Sequence, residues 1–404
     1  MEYYFAPMEG LTDSVYRRLH HKFFSGVDKY YMPFFSPTVH RSLTEREARE
    51  LPLADSESFT AVPQLLTKSA EDFLWAARQC ADRGYGEVNL NLGCPSGTVF
   101  SKGKGSGMLR DPDGLERFLD AIFASSPLPI SLKTRLGVED SEEFERLLEI
   151  YNRYPVSLLI VHPRVRKAFY TGDVDMASFE TALVKSKNPV CYNGNLCTRE
   201  DIRSFSDSHP AVRQIMLGRG LIGDPGMLCP KGTDAKQLQA FYDGLLEQYT
   251  CLFGGSRNAM FRLKENWRYL LCRFDGAEKL GKRLKKATDV AEYRSITHEI
   301  FQNCPMKPAL EPDWKQNAAH SILKGTVCGF FWLGAAQHNS SAAPAELCGV
   351  ALVKQQIGVS GIGPVSLGGV LFQNVRLGTK LLHQRNDDTV AVVRSLLLIG
   401  GDAV

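Results

Sequence analysis

Short apolar segments recur along the first two thirds of the chain, and amphipathic segments of helical period separate several of them. Apolar runs of this length are typical of parallel strands that are buried on both faces. The eight predicted strands are Tyr3–Ala6, Lys29–Met32, Thr60–Leu65, Glu87–Leu92, Ile130–Thr134, Leu158–His162, Val190–Asn193 and Gln214–Gly218. Helices are predicted at Glu71–Arg83, Leu115–Phe123 and Glu143–Tyr151. The alternation favours an α/β fold, a (β/α)8 TIM barrel, over an open sheet.

Apolar residues at helical spacing continue over residues 234–309 without any strand pattern. We therefore predict a catalytic barrel over residues 1–233, a smaller helical domain over 234–312 and an unassigned C-terminal extension over 313–404. Glycine and small apolar residues dominate the extension, where charged residues are sparse. This composition suits a short β-rich appendage, an interaction segment or sequence unrelated to function.

The fourth predicted strand, Glu87–Leu92, alternates apolar and polar residues with a period of two. It ends in a tight corner, because Gly93 permits a sharp turn and Pro95 cannot continue a strand. The corner would hold the thiol of Cys94 at the mouth of the barrel, in a position for proton transfer. The alternative is a small buried hydrophobic residue, since free cysteine is among the most buried residue types.

Polar residues or glycines follow almost every predicted strand, and the carboxyl ends of strands are where TIM barrels place their chemistry. These residues are Pro7, Met8, Glu9, Gln64, Asn91, Cys94, Lys133, Arg135, His162, Arg164, Asn193, Gly194, Asn195, Gly218 and Arg219. The last two strand ends combine glycines with donors, as phosphate sites do. Lys133 adds a cation and Gln64 an amide suited to a heterocycle edge. Together they describe a flavin mononucleotide (FMN) site, although other phosphorylated ligands would use the same groups.

Positive charge is concentrated in one segment of the predicted helical domain. The chain as a whole has a formal net charge of +3, but residues 257–286 contain ten basic and three acidic residues. Such a segment is either a face that binds a polyanion or a solvated helix surface.

Composition excludes several classes of protein. No apolar run is long enough to span a bilayer, and the N-terminus lacks a basic segment leading into an apolar one, so we expect no membrane association. None of the ten cysteines forms a Cys-x-x-Cys pair, which argues against a metal site. We expect a monomeric, cytoplasmic protein in a reducing environment.

Six motifs resemble those of the tRNA-dihydrouridine synthases, in the same order and at barrel spacing. They are Ala6–Asp13, Asn91–Pro95, Lys133–Arg135, Val161–Arg164, Tyr192–Asn195 and Leu217–Gly220, and the resemblance covers about residues 1–312. It implies an FMN-binding barrel, NADPH as reductant, and reduction of the 5,6 double bond of particular uridines in tRNA. The helical domain would bind the tRNA.

The resemblance also implies roles for individual residues. Cys94 would donate a proton to C5 of the uracil while reduced FMN delivers hydride to C6. Asn91, Arg135 and Arg164 would contact the substrate nucleotide. FMN would be held by Pro7, Met8, Glu9, Gln64, Lys133, His162, Asn193, Gly194, Asn195, Gly218 and Arg219. The tRNA would be bound by Arg257, Lys264, Arg268, Lys282, Arg283, Lys285 and Lys286.

Asn195 departs from the family pattern, because many members carry an acidic residue there. A contact between FMN and the backbone of residue 195 survives that change, whereas a contact through a side-chain carboxylate does not. Two other functions remain open from the sequence: an FMN barrel that acts on a free small pyrimidine, as dihydroorotate dehydrogenases do, and a non-catalytic tRNA-binding protein.

Overall fold

The computed structural model describes residues 1–37 and 40–316, so the predictions for residues 317–404 lie outside the described residues. All eight predicted strands are present, and the third is divided into two strands by Pro63. The strands are β1 (Glu2–Phe5), β2 (Lys29–Tyr31), β3 (Thr60–Val62), β4 (Gln64–Leu65), β5 (Val88–Leu92), β6 (Ile130–Arg135), β7 (Leu159–His162), β8 (Val190–Tyr192) and β9 (Gln214–Leu217).

The strands form one parallel sheet in the order β3-β2-β1-β9-β8-β7-β6-β5-β4. Its two edges, β3 and β4, are consecutive pieces of chain separated only by Pro63. β3 pairs with β2, whereas β4 pairs with β5 and is bridged to the chain just after β2 through Phe35 and Leu65. The sheet therefore closes on itself, and the predicted TIM barrel is confirmed.

Helices cover the outside of the barrel, and several begin at a side-chain cap, as at Asp13, Ser69 and Asp111. The helices that accompany the strands are α1 (Ser14–Phe23), α2 (Glu45–Glu50), α3 (Ala70–Ala81), α4 (Gly97–Ser101), α5 (Pro112–Ser125), α6 (Glu143–Tyr151), α7 (Met176–Lys185), α8 (Arg199–Ser208) and α9 (Arg219–Gly223). Short 3-10 turns lie at Ala54–Ser56, Gly105–Arg110, Arg166–Ala168 and Leu271–Arg273.

The two faces of the strands have different surroundings. Outward-facing residues such as Val88, Leu90 and Leu92 join the large apolar cluster beneath the helices. A second, smaller cluster fills one side of the barrel interior and consists of Tyr4, Ala6, Tyr31, Val62, Leu158, Ile160, Cys191 and Met216. The other side of the interior is polar, because Asn89 and Asn91 project inward from β5. The period-two pattern predicts that these two residues share a face of the strand, and the closed barrel makes it the inner one.

The rest of the described chain is helical. Its helices are α10 (Ala235–Phe253), α11 (Ser256–Leu270), α12 (Glu278–Lys286), α13 (Val290–Asn303) and α14 (Asp313–Gln316). The apolar stripe of α10 is buried, and Trp267 of α11 is a core residue whose indole N–H donates to the Tyr293 hydroxyl at 2.8 Å. None of the helices in the described residues has the length and apolar character needed to span a bilayer. The boundary at residue 233 stays a prediction.

Buried ion pairs fasten the helical region to the barrel. Arg262 of α11 pairs with Asp13, the cap of α1, and the Tyr249 hydroxyl donates to the same carboxylate at 2.7 Å. Burial alone would raise the pKa of Asp13, but the Arg262 guanidinium holds it below its ordinary value. Arg273 pairs with Asp224, which follows α9, at 3.3 Å. Two of the ten basic residues within 257–286 are thus neutralised by barrel carboxylates.

We expect Arg262→Met to lower the free energy of unfolding by about 2–3 kcal/mol, since it leaves a largely buried Asp13 carboxylate without its cation. The matched change Arg283→Met breaks an exposed pair with Glu299 and should cost less than about 1 kcal/mol. Urea titration of both variants makes the comparison. Equal destabilisation by the two changes would show that the Asp13–Arg262 pair does not stabilise the packing of the helical region on the barrel.

Candidate active site at the barrel mouth

The corner after β5 is held by the side chain of Asn91. Its Oδ1 accepts hydrogen bonds from the backbone N–H groups of Gly93, at 3.1 Å, and Cys94, at 2.9 Å. Its Nδ2 donates to Oε1 of Gln64 at 2.8 Å. The position of Cys94 is therefore fixed through its own backbone N–H. The predicted contact between Asn91 and a uracil stays a prediction, and the structure adds this positioning contact.

A second segment supports the corner from the other side. The carbonyl of Cys94 accepts from the Ser106 hydroxyl at 2.6 Å. Gly105 has a φ of +57°, and a Cβ atom there would lie 3.0 Å from the Cβ of Cys94. Only glycine meets both conditions without strain. The half-buried side chain of Cys94 is thus bounded by the corner and by the Gly105–Arg110 turn.

Amide side chains continue from Asn91 across the polar side of the barrel interior. Gln64 donates to Oδ1 of Asn89 at 2.7 Å, and Asn89 donates to the Ser131 hydroxyl at 2.9 Å. All of these side chains are buried. Buried amides without partners would be costly, so the chain of hydrogen bonds stabilises one arrangement of β4, β5 and β6.

Five basic side chains meet at the ends of β6, β7 and β9: Lys133, Arg135, His162, Arg164 and Arg219. Arg135 donates to the carbonyl oxygens of Gly93 and Val165, at 2.8 and 3.1 Å. Arg164 donates to the carbonyls of Thr171 and Gly172 and contacts Nε2 of His162 at 3.0 Å. These partners are all uncharged.

The crowding of cations changes their acidities. Burial, and then the charge of Arg135, lowers the pKa of Lys133 to about 8. Burial and the neighbouring cations hold the pKa of His162 well below its ordinary value, so its ring is neutral. Burial and Arg219 lower the pKa of Arg164 to about 10. A largely buried group of basic side chains, whose charges destabilise one another, is suited to binding an anion.

The ends of β8 and β9 meet the end of β1 at the same mouth. Asn195 accepts from Arg219 at 2.9 Å, and Asn193 donates to the carbonyl of Met216 at 2.8 Å. A Cβ atom at Gly194 would overlap the Tyr192 hydroxyl, and one at Gly218 would lie 3.2 Å from the sulfur of Met8. Bare backbone is therefore required at Gly194, which suits a loop that approaches a phosphate.

The remaining predicted residues have varied surroundings. Pro7 and Met8 are half-buried at the end of β1, and Glu9 pairs with Arg46 of α2 at 2.6 Å. In the helical region, Lys264 donates to the carbonyl of Ala287. The other predicted tRNA-binding residues are exposed on α11 and α12, and they are Arg257, Arg268, Lys282, Arg283, Lys285 and Lys286.

Tyr170 is a mouth residue that the sequence patterns did not reveal. Its ring stacks on His162, with centroids 6.0 Å apart, and the guanidinium carbons of Arg135 and Arg219 lie 5.3 and 5.6 Å from its centroid. Tyr170 lies eight residues beyond the end of β7. The predicted site residues of the mouth all lie at the end of a strand or directly after it, so Tyr170 is not among them. Among residues 1–37 and 40–316, no group of three His, Cys, Asp or Glu side chains is arranged to hold a metal ion.

The model of the family described as dihydrouridine synthase (Dus) matches residues 4–310 of this chain. The chain belongs to the dihydrouridine synthase family. The match includes the barrel, the corner at Cys94 and helices α10 to α13. The resemblance carried by the six motifs is thereby confirmed.

Curated relatives agree with this membership. A probable tRNA-dihydrouridine synthase of Rhodobacter capsulatus is 30% identical over 226 residues, covering 55% of this chain and 68% of the relative. A probable tRNA-dihydrouridine synthase of Rhizobium leguminosarum is 27% identical over 299 residues, covering 68% of this chain and 88% of the relative. Among solved structures, morphinone reductase aligns at 9% identity with a TM-score of 0.41, covering 56% of this chain and 85% of that structure. This last likeness is too distant to bear on function.

We expect the affinity of the mouth for an anionic ligand, tested with FMN, to fall as the pH rises through about 8. Lys133 is protonated below its pKa of about 8 and neutral above it, so the attraction to an anion is present at lower pH and absent at higher pH. Flavin fluorescence titrations between pH 7 and pH 9 measure the dissociation constant. In the Lys133→Met variant the dependence should disappear; an equally steep dependence there would exclude Lys133 as its cause.

Proposed function

We propose that this protein is an NAD(P)H- and FMN-dependent oxidoreductase that reduces particular uridines in tRNA to 5,6-dihydrouridine. Family membership and relatives named tRNA-dihydrouridine synthase support the reaction class. The observation that carries the proposal is the fixed position of Cys94 in the barrel mouth, within electrostatic reach of Lys133. A proton donor and a cation beside it are what reduction of an electron-poor ring requires.

The residues of the mouth fit FMN. The surplus of cations matches a phosphate dianion, and the bare backbone at Gly194 permits a close approach. Arg164, Arg219 and the Asn193–Asn195 loop would hold the phosphate end. Lys133 would face the ring system, where it favours added negative charge. Pro7, Met8, Glu9, Gln64, His162 and Gly218 complete the set of residues that would hold the cofactor.

When bound and reduced by NADPH, the flavin supplies the hydride that adds to C6 of the uracil. The protein supplies the proton for C5, and the Sγ–H of Cys94 is the donor. Because Asn91 holds the backbone N–H of Cys94, the donor keeps its place when the substrate enters. The thiolate left after transfer is stabilised by the charge of Lys133 until it takes a proton from water.

The phosphates of the tRNA would contact the exposed face of α12. Lys282, Lys285 and Lys286 project into solvent there, whereas Arg283 is engaged with Glu299. Turning a stacked uridine out of folded RNA costs a few kcal/mol, which phosphate contacts would offset. An enzyme for a free pyrimidine has no need of such a surface, and a non-catalytic protein has no need of a positioned thiol. Neither alternative is favoured.

Replacing Cys94 with Ala should lower the rate of dihydrouridine formation by about 10²- to 10⁴-fold, because general acid catalysis of this size is lost. FMN content and NADPH oxidation without tRNA should stay unchanged. Cys251→Ala removes an exposed thiol on α10 and should alter neither rate. Nucleoside analysis of the tRNA product measures the first rate, and wild-type turnover by the Cys94 variant would remove its assigned role.

Replacing Lys285 and Lys286 together with Gln should weaken tRNA binding and flatten its salt dependence by about 0.7–0.9 in log–log slope for each phosphate that the protein no longer neutralises. NADPH oxidation should be spared. The charge-matched control is Lys187→Gln with Arg213→Gln, which removes two exposed cations just before β8 and β9, at the end of the barrel opposite the mouth. Binding isotherms at several salt concentrations measure the tRNA affinity and salt slope of both double variants and of the wild type. If the Lys285/Lys286 variant has the same affinity and slope as the wild type, the tRNA binds elsewhere.

A further inference from the structure

The chain returns to the barrel after α13 and lies along α9. A Cβ atom at Gly223 would come within 2.8 Å of the Leu310 side chain, so Leu310 packs directly on this glycine. Four residues earlier on α9, the guanidinium carbon of Arg219 lies 5.9 Å from the ring centroid of Trp314. Residues four apart lie on one face of a helix. Leu310 and Trp314 therefore cover the face of α9 that carries Arg219.

Trp314 is held in this place by the helical region. The ring of Tyr269 on α11 meets the indole edge-on, with centroids 5.2 Å apart. Just before it, Asp313 accepts a long hydrogen bond from the Cys272 thiol at 3.6 Å. The half-buried indole is therefore fixed between α11 and α9. Its Nε1–H is buried, and no described residue accepts a hydrogen bond from it.

Arg219 contacts two aromatic rings. The ring centroids of Tyr170 and Trp314 lie 5.6 and 5.9 Å from its guanidinium carbon, and its Nη2 donates to Oδ1 of Asn195 at 2.9 Å. Cation–π contacts orient a guanidinium as well as attract it. The side chain is thus aimed by three groups from three different segments, all at the end of the barrel where the phosphate site is expected.

We propose that Trp314 is a positioning residue for the cofactor phosphate, acting through Arg219. It lies beyond residues 4–310, which the family model matches, so family membership assigns it no role. The inference rests on the proposed function, because it takes FMN as the ligand. Loss of the indole frees Arg219 to leave the mouth and weakens attraction for the phosphate, while contacts to the ring system of the flavin are kept.

The test compares FMN with riboflavin, which lacks the phosphate, on the full chain freed of flavin. Trp314→Leu should raise the dissociation constant of FMN about fivefold and that of riboflavin less than about twofold, the size expected for one cation–π contact. Trp314→Phe keeps a ring against Arg219 and should restore most of the FMN affinity. Trp75→Phe, on α3, is the matched control and should change neither constant.

A double-mutant cycle with Arg219→Gln separates positioning from general packing. Trp314→Leu should weaken FMN binding no further once Arg219 has been replaced. Fluorescence titration gives the constants, and thermal unfolding shows that each variant is folded; Trp314→Met is a second replacement if the leucine variant does not fold. Equal weakening of FMN and riboflavin, or additive effects with Arg219→Gln, would overturn the inference. A wild-type protein that binds no FMN would overturn the proposed function itself.

Discussion

The geometry of the candidate site depends on one buried amide, that of Asn91. Asn91 binds the backbone of the Gly93–Cys94 corner through its oxygen and the side chain of Gln64 through its nitrogen. Because Gln64 is in turn bound to Asn89, the position of the thiol is tied to the register of three neighbouring strands. A change in the pairing of β4, β5 or β6 would therefore displace Cys94.

The mouth of the same barrel concentrates basic side chains. One side of its interior is an apolar cluster that needs no partners, and the other side carries the amides and Lys133. Above them, Arg135 and Arg164 donate hydrogen bonds to backbone carbonyl oxygens, and the guanidinium of Arg135 also lies over the Tyr170 ring. Carbonyls orient a guanidinium but leave its charge in place, so the mouth retains its attraction for an anion.

Local patterns were enough to predict the strands, the shared face of Asn89 and Asn91, and the polar residues at strand ends. Interactions between distant parts of the chain were not predictable. In the sequence, Arg262 is one of the positive charges of residues 257–286. In the fold it pairs with Asp13, which lies 249 positions earlier in the chain. Tyr170 and Trp314 contact Arg219 from a loop after β7 and from the short helix α14, and no periodicity marks either of them. The break at Pro63 follows from its missing N–H, yet the resulting change of strand partner depends on the closed sheet.

The close approach of Gly194 to the Tyr192 hydroxyl has effects well beyond the mouth. The Tyr192 ring stacks on Phe205 of α8 at 4.1 Å and meets Phe179 of α7 edge-on at 4.8 Å. A larger residue at 194 would push this ring into both outer helices. The loop at the mouth and the packing of α7 and α8 on the barrel exterior are therefore mechanically linked, so a side chain at 194 is tolerated only where Tyr192 and Phe205 change with it.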